Sequence, residues 1–423
     1  MSKSNDKTLS LTNKLVPSLF FALPPIALLS FCFYPSPAND LPHSHSLSIT
    51  TNFSLSASTS PVYEETCEYW NGKWVRDTRE PLYNGSTCVT KMKKNQNCIA
   101  NGRPDSGFIY WRWKASECHL PRFEPHTFLQ LIHNKHVAFV GDSLARNHLE
   151  SLLCSLATAS KPKRLHYQGS RRWHFPSHNA NLSFYWSPFL VQGVQRKNNG
   201  PLYNTVYLDR VNKRWARDMD QMDLIVLSFG HWFLVPSVFY EGGKVLGCSN
   251  CPSFNYTDIG FYGPLRRALR TTLDSIMRKV GEGNGIDVIV RTFSPSHFEG
   301  DWDKGGTCSK NKPYEMGERE LEGVDAEIRR IQMEEVENAK EKGKQFRGFR
   351  LEALDVTQLA LLRPDGHPGA YMNPFPFANG VPEHVQNDCV HWCLPGPIDT
   401  WNDIFLEMMR KWPQQPRSEE KRM

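Results

Sequence analysis

From Lys135 onward, short unbroken apolar runs alternate with stretches whose apolar residues recur three and four positions apart. His136–Val140 is a run of the first kind and predicts a buried strand. Leu144–Leu156 follows with Leu149, Leu152, Leu153 and Leu156 at helical spacing. Leu224–Leu227, Val288–Val290 and Phe349–Val356 predict further strands. Pro264–Val280 reads as a helix, with Leu265, Leu269, Leu273, Ile276 and Val280 on one face and Pro264 suited to a first turn. A long charged helix is expected from about Glu318 to Lys342. Strands alternating with helices predict an α/β domain with a mainly parallel sheet covered on both faces. Residues 63–125 differ. They are dense in Cys, Gly, Trp and Arg without long periodic runs, which predicts a loop-rich segment pinned by disulfides.

The first 62 residues read as targeting and linker. Lys3, Lys7 and Lys14 precede an apolar run from Leu15 to Tyr34, and a bilayer core takes ~20 apolar residues. The expectation is a cytosolic tail (1–14), an uncleaved signal anchor and transmembrane helix (15–34), and a disordered Ser/Thr/Pro-rich stem (35–62). The rival is a cleaved signal peptide, but no small-x-small site follows Tyr34. This orientation predicts a single-pass type II Golgi membrane protein with its catalytic domain luminal. Residues 413–423 read as a disordered tail.

Ten of the eleven cysteines lie beyond the apolar run, an even number that suits five disulfides in an oxidising lumen. A reduced enzyme with ten thiols is the alternative. Asn52, Asn84, Asn181 and Asn255 head glycosylation sequons on the proposed luminal side. The 50 basic and 44 acidic residues are mixed without a basic stripe, so no nucleic-acid partner is expected. Twelve Trp supply core filling and, at some positions, faces for sugar rings.

The sharpest chemical feature is Gly141-Asp142-Ser143, set between a buried strand and a helix. Ser143 then sits at the carboxyl end of a sheet strand, where open α/β sheets place ligands. The helix start offers backbone N–H groups to an oxyanion, that of Ser143 among them. The plainer reading is a helix-capping serine. A serine nucleophile needs a base and an orienting acid. Asp388-Cys389-Val390-His391 supplies both, while Asp142 is read as shaping the turn. His367, in Asp365-Gly366-His367-Pro368, is a rival base, although a Gly/Pro turn explains it more simply. Together, Gly-Asp-Ser and Asp-x-x-His form the pattern of SGNH, or GDSL-type, esterases. That pattern predicts an SGNH-like three-layer sandwich over residues 126–412, with residues 63–125 forming a second small lobe.

The resemblance narrows further on longer motifs. Cys67-Glu-Tyr-Trp-Asn-Gly-Lys-Trp-Val75, Asn101-Gly-Arg-Pro-Asp105, Val140-Gly-Asp-Ser-Leu-Ala-Arg-Asn147, Arg291-Thr-Phe-Ser-Pro-Ser-His-Phe298 and Asn387-Asp-Cys-Val-His-Trp-Cys-Leu-Pro-Gly396 occur in that order. The chain resembles the plant trichome-birefringence-like polysaccharide O-acetyltransferases over about residues 65–412. The resemblance implies Ser143 as nucleophile, His391 as base and Asp388 as its orienter. It also implies disulfides Cys67–Cys118, Cys88–Cys154, Cys98–Cys393 and Cys308–Cys389; for Cys248 and Cys251, which remain, a redox role stays open and a local loop bridge is the plainer reading. One departure stands out. Where the family often has Asn-Thr-Gly-His-Trp, this chain has Ser228-Phe229-Gly230-His231-Trp232. An Asn donor to an oxyanion is thus missing, and the Ser143 N–H and Gly169 are the candidates.

The implied reaction passes an acetyl group through Ser143 to a polysaccharide hydroxyl. No metal and no bound cofactor are expected. An acetyl donor is required, either acetyl-CoA or an acetylated intermediate. A groove lined by Trp173, Trp186, Trp232 and Trp392 is expected to exclude water. Residues 361–380 look most like the branch acting on xyloglucan, with mannan-acetylating relatives close by. An acetylesterase and a non-catalytic wall-polysaccharide binder are the alternatives. A binder does not need the Ser143–Asp388–His391 set.

Overall fold

The computed structural model describes residues 67–88, 92–167, 170–196, 202–252, 255–281, 285–301, 304–381 and 383–412. The anchor, the stem, the C-terminal tail, Asn52 and Gly169 lie outside them. Among the described residues no helix is long and apolar enough to cross a membrane.

The chain opens with β1 (Gly72–Arg76) and β2 (Trp111–Ala115), then α1 (Pro125–Leu131), β3 (His136–Gly141) and α2 (Ser143–Leu156). Next come β4 (Lys163–Tyr167), β5 (Ser170–Phe175), β6 (Ala180–Trp186), β7 (Val191–Val194), β8 (Asn204–Val211), α3 (Lys213–Ala216) and β9 (Leu224–Ser228). They are followed by β10 (Ser237–Glu241), β11 (Lys244–Ser249), α4 (Tyr262–Gly281), β12 (Asp287–Arg291) and α5 (Gly323–Gly343). The last elements are β13 (Arg350–Leu354), α6 (Thr357–Leu361) and α7 (Asp399–Lys411).

The main sheet has the order β13-β12-β9-β3-β6-β5-β4. β13, β12, β9, β3 and β6 pair in parallel, and β5 and β4 close one edge antiparallel. Both faces are covered, and this is why the strands read as unbroken apolar runs rather than alternating ones. On β3, Val137 and Phe139 enter one core while Ala138 and Val140 enter the other. On β9, Leu224 and Val226 divide from Ile225 and Leu227 in the same way. The first core joins α2 and α7 to the N-terminal segment through Tyr69, Trp74 and Trp113. The second takes the apolar faces of α4 and α5. A four-stranded sheet, β11-β10-β8-β7, packs its β8 against α4.

The predicted strands and the helices after β3 and before β12 fall where the apolar pattern puts them. The charged helix starts later than expected, at Gly323 rather than near Glu318. Gly323 takes φ +59°, which interrupts a right-handed helix, and the charged run before it has no apolar face to bury.

Candidate active site

The site is built where β3 ends. β6 and β9 flank β3 on opposite sides, so the carboxyl end of β3 is where an open α/β sheet places its ligands. Gly141 is required there by close approach, because a Cβ would lie 1.8 Å from the Ser228 carbonyl oxygen. Asp142 Oδ1 caps α2 by accepting from the N–H groups of Leu144 and Ala145 at 3.0 and 3.4 Å. Asp142 is therefore the cap, and this frees Ser143 from that task. Ser143 is the first residue of α2 and half-buried, and the cap does not use its N–H.

Asp388 and His391 meet as the sequence predicts. His391 Nδ1 lies 2.8 Å from Asp388 Oδ2, and Asp388 Oδ1 accepts from the backbone N–H groups of His391 and Val390. Burial raises the Asp388 carboxyl, but His391 and these bonds outweigh it and bring it down to about 2. The carboxylate is therefore ionised and fixes the Nδ1–H tautomer. The other ring nitrogen, Nε2, is buried and has no hydrogen-bond partner among the described residues.

Asn147 brings this loop to the serine. It lies one helical turn beyond Ser143 on the same face of α2. Its amide oxygen accepts from the Trp392 N–H at 2.7 Å, and its amide nitrogen donates to the Trp392 carbonyl at 3.2 Å. Trp392 is the neighbour of His391. Two disulfides hold the same loop, Cys308–Cys389 and Cys98–Cys393. Cys67–Cys118, Cys88–Cys154 and Cys248–Cys251 are paired as well.

Three groups under the site, Arg291 and Asn147 buried and His231 half-buried, are not legible in the sequence. Arg291, at the end of β12, donates to the Ser228 hydroxyl and the Thr292 carbonyl. Burial pulls its guanidinium down to about 10, with Asp142 opposing. The serine standing where the family often has Asn thus accepts from Arg291. His231 stacks on Phe293 with ring centroids 4.4 Å apart and bonds the Ser294 carbonyl. Burial, then the charges of Arg291 and His391, pull it down to about 3, so it is a neutral ring. Asn147 is the third. All three lie inside or beside the quoted motifs, but only their distant partners disclose a role.

Some expectations are corrected. His367 is not a free base and is more than a turn residue. It is 3% exposed, and both its ring nitrogens are occupied, by His297 and by the His391 carbonyl. Trp173 and Trp392 belong to the core. Trp392 is fully buried, bonded to Ser294 and stacked on His367. Trp186 and Trp232 are half-buried and meet edge to face at 5.9 Å, with the Arg146 guanidinium 6.0 Å from the Trp186 ring. Of the sequons, Asn84 and Asn255 are exposed, whereas Asn181 is half-buried on β6 and bonded to His174. A cavity of about 390 Å³ borders the loop of Asp388 and His391, lined by Cys308, His367, Tyr371, Phe377 and Asn387.

Residues 120–408 match the GDSL/SGNH-like acyl-esterase family found in Pmr5 and Cas1p, and residues 65–119 match the PMR5 N-terminal domain. Xyloglucan O-acetyltransferase 1 of Populus trichocarpa is 59% identical over 417 residues, covering 97% of this chain and 96% of that one. Xyloglucan O-acetyltransferase 1 of Arabidopsis thaliana is 48% identical over 417 residues, covering 94% and 96%. Protein trichome birefringence-like 23 of Arabidopsis thaliana is 42% identical over 354 residues, covering 82% and 81%. With its capped Gly-Asp-Ser turn, its Asp-His pair and these matches, the chain belongs to the GDSL/SGNH-like acyl-esterase family, in its trichome-birefringence-like branch.

Proposed function

We propose that this chain is a polysaccharide O-acetyltransferase acting on xyloglucan through an acetyl-Ser143 intermediate. The observation that carries the reading is the oriented Asp388–His391 pair, its Nε2 open, tied by Asn147 to the helix face that bears Ser143. In the first half-reaction His391 Nε2 takes the Ser143 hydroxyl proton as Oγ attacks the donor's acetyl carbonyl. The tetrahedral oxyanion collapses, the donor's leaving group departs with the proton from His391, and an acetyl ester remains on Ser143. In the second half-reaction His391 deprotonates a sugar hydroxyl, which attacks that ester. The acetyl group passes to the sugar, and the proton returns to Ser143.

The Ser143 N–H at the start of α2 is the oxyanion donor in this scheme, with Gly169 as the proposed second. One such donor is worth about 10²–10³ in rate. Acetyl-CoA or an acetylated intermediate is the proposed donor. Trp186 and Trp232 offer sugar-facing aromatic surface, and Tyr371 and Phe377 add a second one 5.9 Å between centroids beside the 390 Å³ cavity. The relatives' names support xyloglucan as acceptor, with mannan as the next polysaccharide to test. The apolar run at 15–34 and the luminal disulfide count support a Golgi membrane location, catalytic domain inward.

The test is direct. Purified protein is incubated with labelled acetyl donor, with and without xyloglucan, mannan and xylan oligosaccharides, and Ser143→Ala is run beside it. Acetylated xyloglucan oligomers and an acetylated Ser143 peptide are expected from the parent chain and neither from Ser143→Ala. Release of free acetate with no acetylated sugar would identify an esterase instead.

A further inference from the structure

His297 and His367 lie behind the catalytic loop and take no part in the steps above. They form one continuous chain of contacts. His297 Nε2 is 2.8 Å from the Leu361 carbonyl oxygen, His297 Nδ1 is 2.7 Å from His367 Nε2, and His367 Nδ1 is 2.7 Å from the His391 carbonyl oxygen. A carbonyl oxygen only accepts. Both end links therefore need their proton on the ring, at His297 Nε2 and His367 Nδ1. The central link needs one more, on either nitrogen. Three links require three protons, and two neutral imidazoles carry two. With both rings neutral, one link sets lone pairs face to face at under 3 Å. One added proton completes all three links and gives the pair a single positive charge.

We propose that His297 and His367 are a proton-sharing dyad that positions His391, closing onto its carbonyl when the pair takes up one proton. The functional half of this rests on the acyl-transfer reading above; the proton count does not. The charged groups around the pair are few. His367 faces Asp388 and Arg103, and His297 faces Asp365 and Arg319, with the Tyr314 ring 6.3 Å away. Arg103 is held by Asp105 and Asp365 by Arg363, so Asp388 is the anion that answers a charge on the dyad. Burial opposes that charge and draws His297 down to about 4 and His367 well below its usual value. The proton therefore enters on acidification, between the ordinary imidazole value of about 6.5 and about 4.

The charge arrives on the loop that carries His391 and competes with it for Asp388. It repels further positive charge on that loop, so transfer persists further into acid. At an effective dielectric of ~20, a charge several ångströms away displaces a titration by about one pH unit.

The test uses the full chain labelled with ¹⁵N at histidine. Ring-nitrogen spectra are followed from pH 7.5 to the acid limit of folding, beside pH profiles of acetyl transfer for the parent and His297→Gln. A glutamine amide can donate to His367 Nε2 and complete the central link without charge. The expected result is one shared protonation, moving the nitrogen signals of both rings together. In His297→Gln that step is lost, and the acid limb of transfer moves up by about one pH unit. A merely structural loss would lower the rate equally at every pH. Independent titration of the two rings, or rings neutral down to unfolding, overturns the shared proton. An unmoved acid limb in folded His297→Gln overturns the role in positioning. Should that variant not fold, His297→Asn takes its place, and the parent spectra still decide the proton count.

Discussion

The amide of Asn147 makes two bonds to one backbone residue, Trp392, and both are buried. Asn147→Ala leaves the Trp392 N–H and carbonyl without that partner, at a cost of about 1–3 kcal/mol. The effect on rate should be larger than this implies, because His391 is the next residue and a displacement of ~1 Å costs about 10² in turnover. Melting curves and kcat measured together check this: a modest loss of Tm with a near-normal kcat would refute it. Gly141→Ala tests the other wall of the site. The methyl group would strike the Ser228 carbonyl oxygen, which itself accepts from the Asp142 N–H, so the turn bearing Ser143 must shift. A large loss of transfer with detectable destabilisation is expected, and a crystal structure with Ser143 undisplaced would contradict the account. Ser143, Asp388 and His391 were legible because each lies in a short motif whose spacing is its own signal. Asn147, Arg291 and His231 were not, because their partners stand 60 to 250 residues away, and an apolar or polar pattern carries no such pairing.

Among the elements, α7 couples stability to pH. Its first turns carry Asp399 and Asp403, four apart on one face. Asp399 accepts from Tyr83 of the N-terminal segment, Ser151 of α2 and the N–H of Gly396, and burial still raises it to about 6. Asp403 accepts from the Phe123 N–H, yet burial, with Asp399 adding to it, raises its carboxyl to about 8. An unfolded aspartate titrates near 3.9. The folded state thus holds the Asp403 proton more tightly, and stability falls as pH rises from about 4 to about 8. Asp403→Asn keeps an acceptor for Phe123 and removes that dependence. Its Tm should exceed the parent's most at pH 8.5 and match it near pH 4. Part of the residue is exposed, so the gain is kept to ~1–2 kcal/mol. Parallel melting temperatures across that range would show that Asp403 is ionised throughout. α7 itself was overlooked in the sequence, as was the sheet β7-β8-β10-β11. Strands buried on both faces announce themselves as apolar runs; β8, half exposed and interrupted by Asp209 and Arg210, does not.

Over the whole molecule, the N-terminal segment and the catalytic domain share one core and two covalent links, Cys88–Cys154 and Cys98–Cys393. Cys98–Cys393 joins the segment to the loop two residues past His391. A native disulfide is typically worth about 2–4 kcal/mol, and four others remain when it is lost. Cys393→Ser should therefore still fold but lose most of its turnover as His391 drifts. An unchanged transfer rate in a folded variant would separate the bridge from catalysis.

That bridge also sets a timetable for the chain's birth. Cys67–Cys118 and Cys88–Cys154 span 51 and 66 residues, whereas Cys98 waits for a partner 295 residues downstream. At ~5–20 residues per second, the ribosome takes about 15–60 s to deliver it. During that interval Cys98 lacks its partner while Cys118, Cys154, Cys248, Cys251, Cys308 and Cys389 join Cys67 and Cys88 on the growing chain, and a wrong bond to any of them strands Cys393. The acid and the base arrive in the same late stretch as Cys393. On the proposed mechanism, a nascent chain lacks a complete triad until synthesis is nearly finished, and closure of this last bridge is expected to be the step that completes the site.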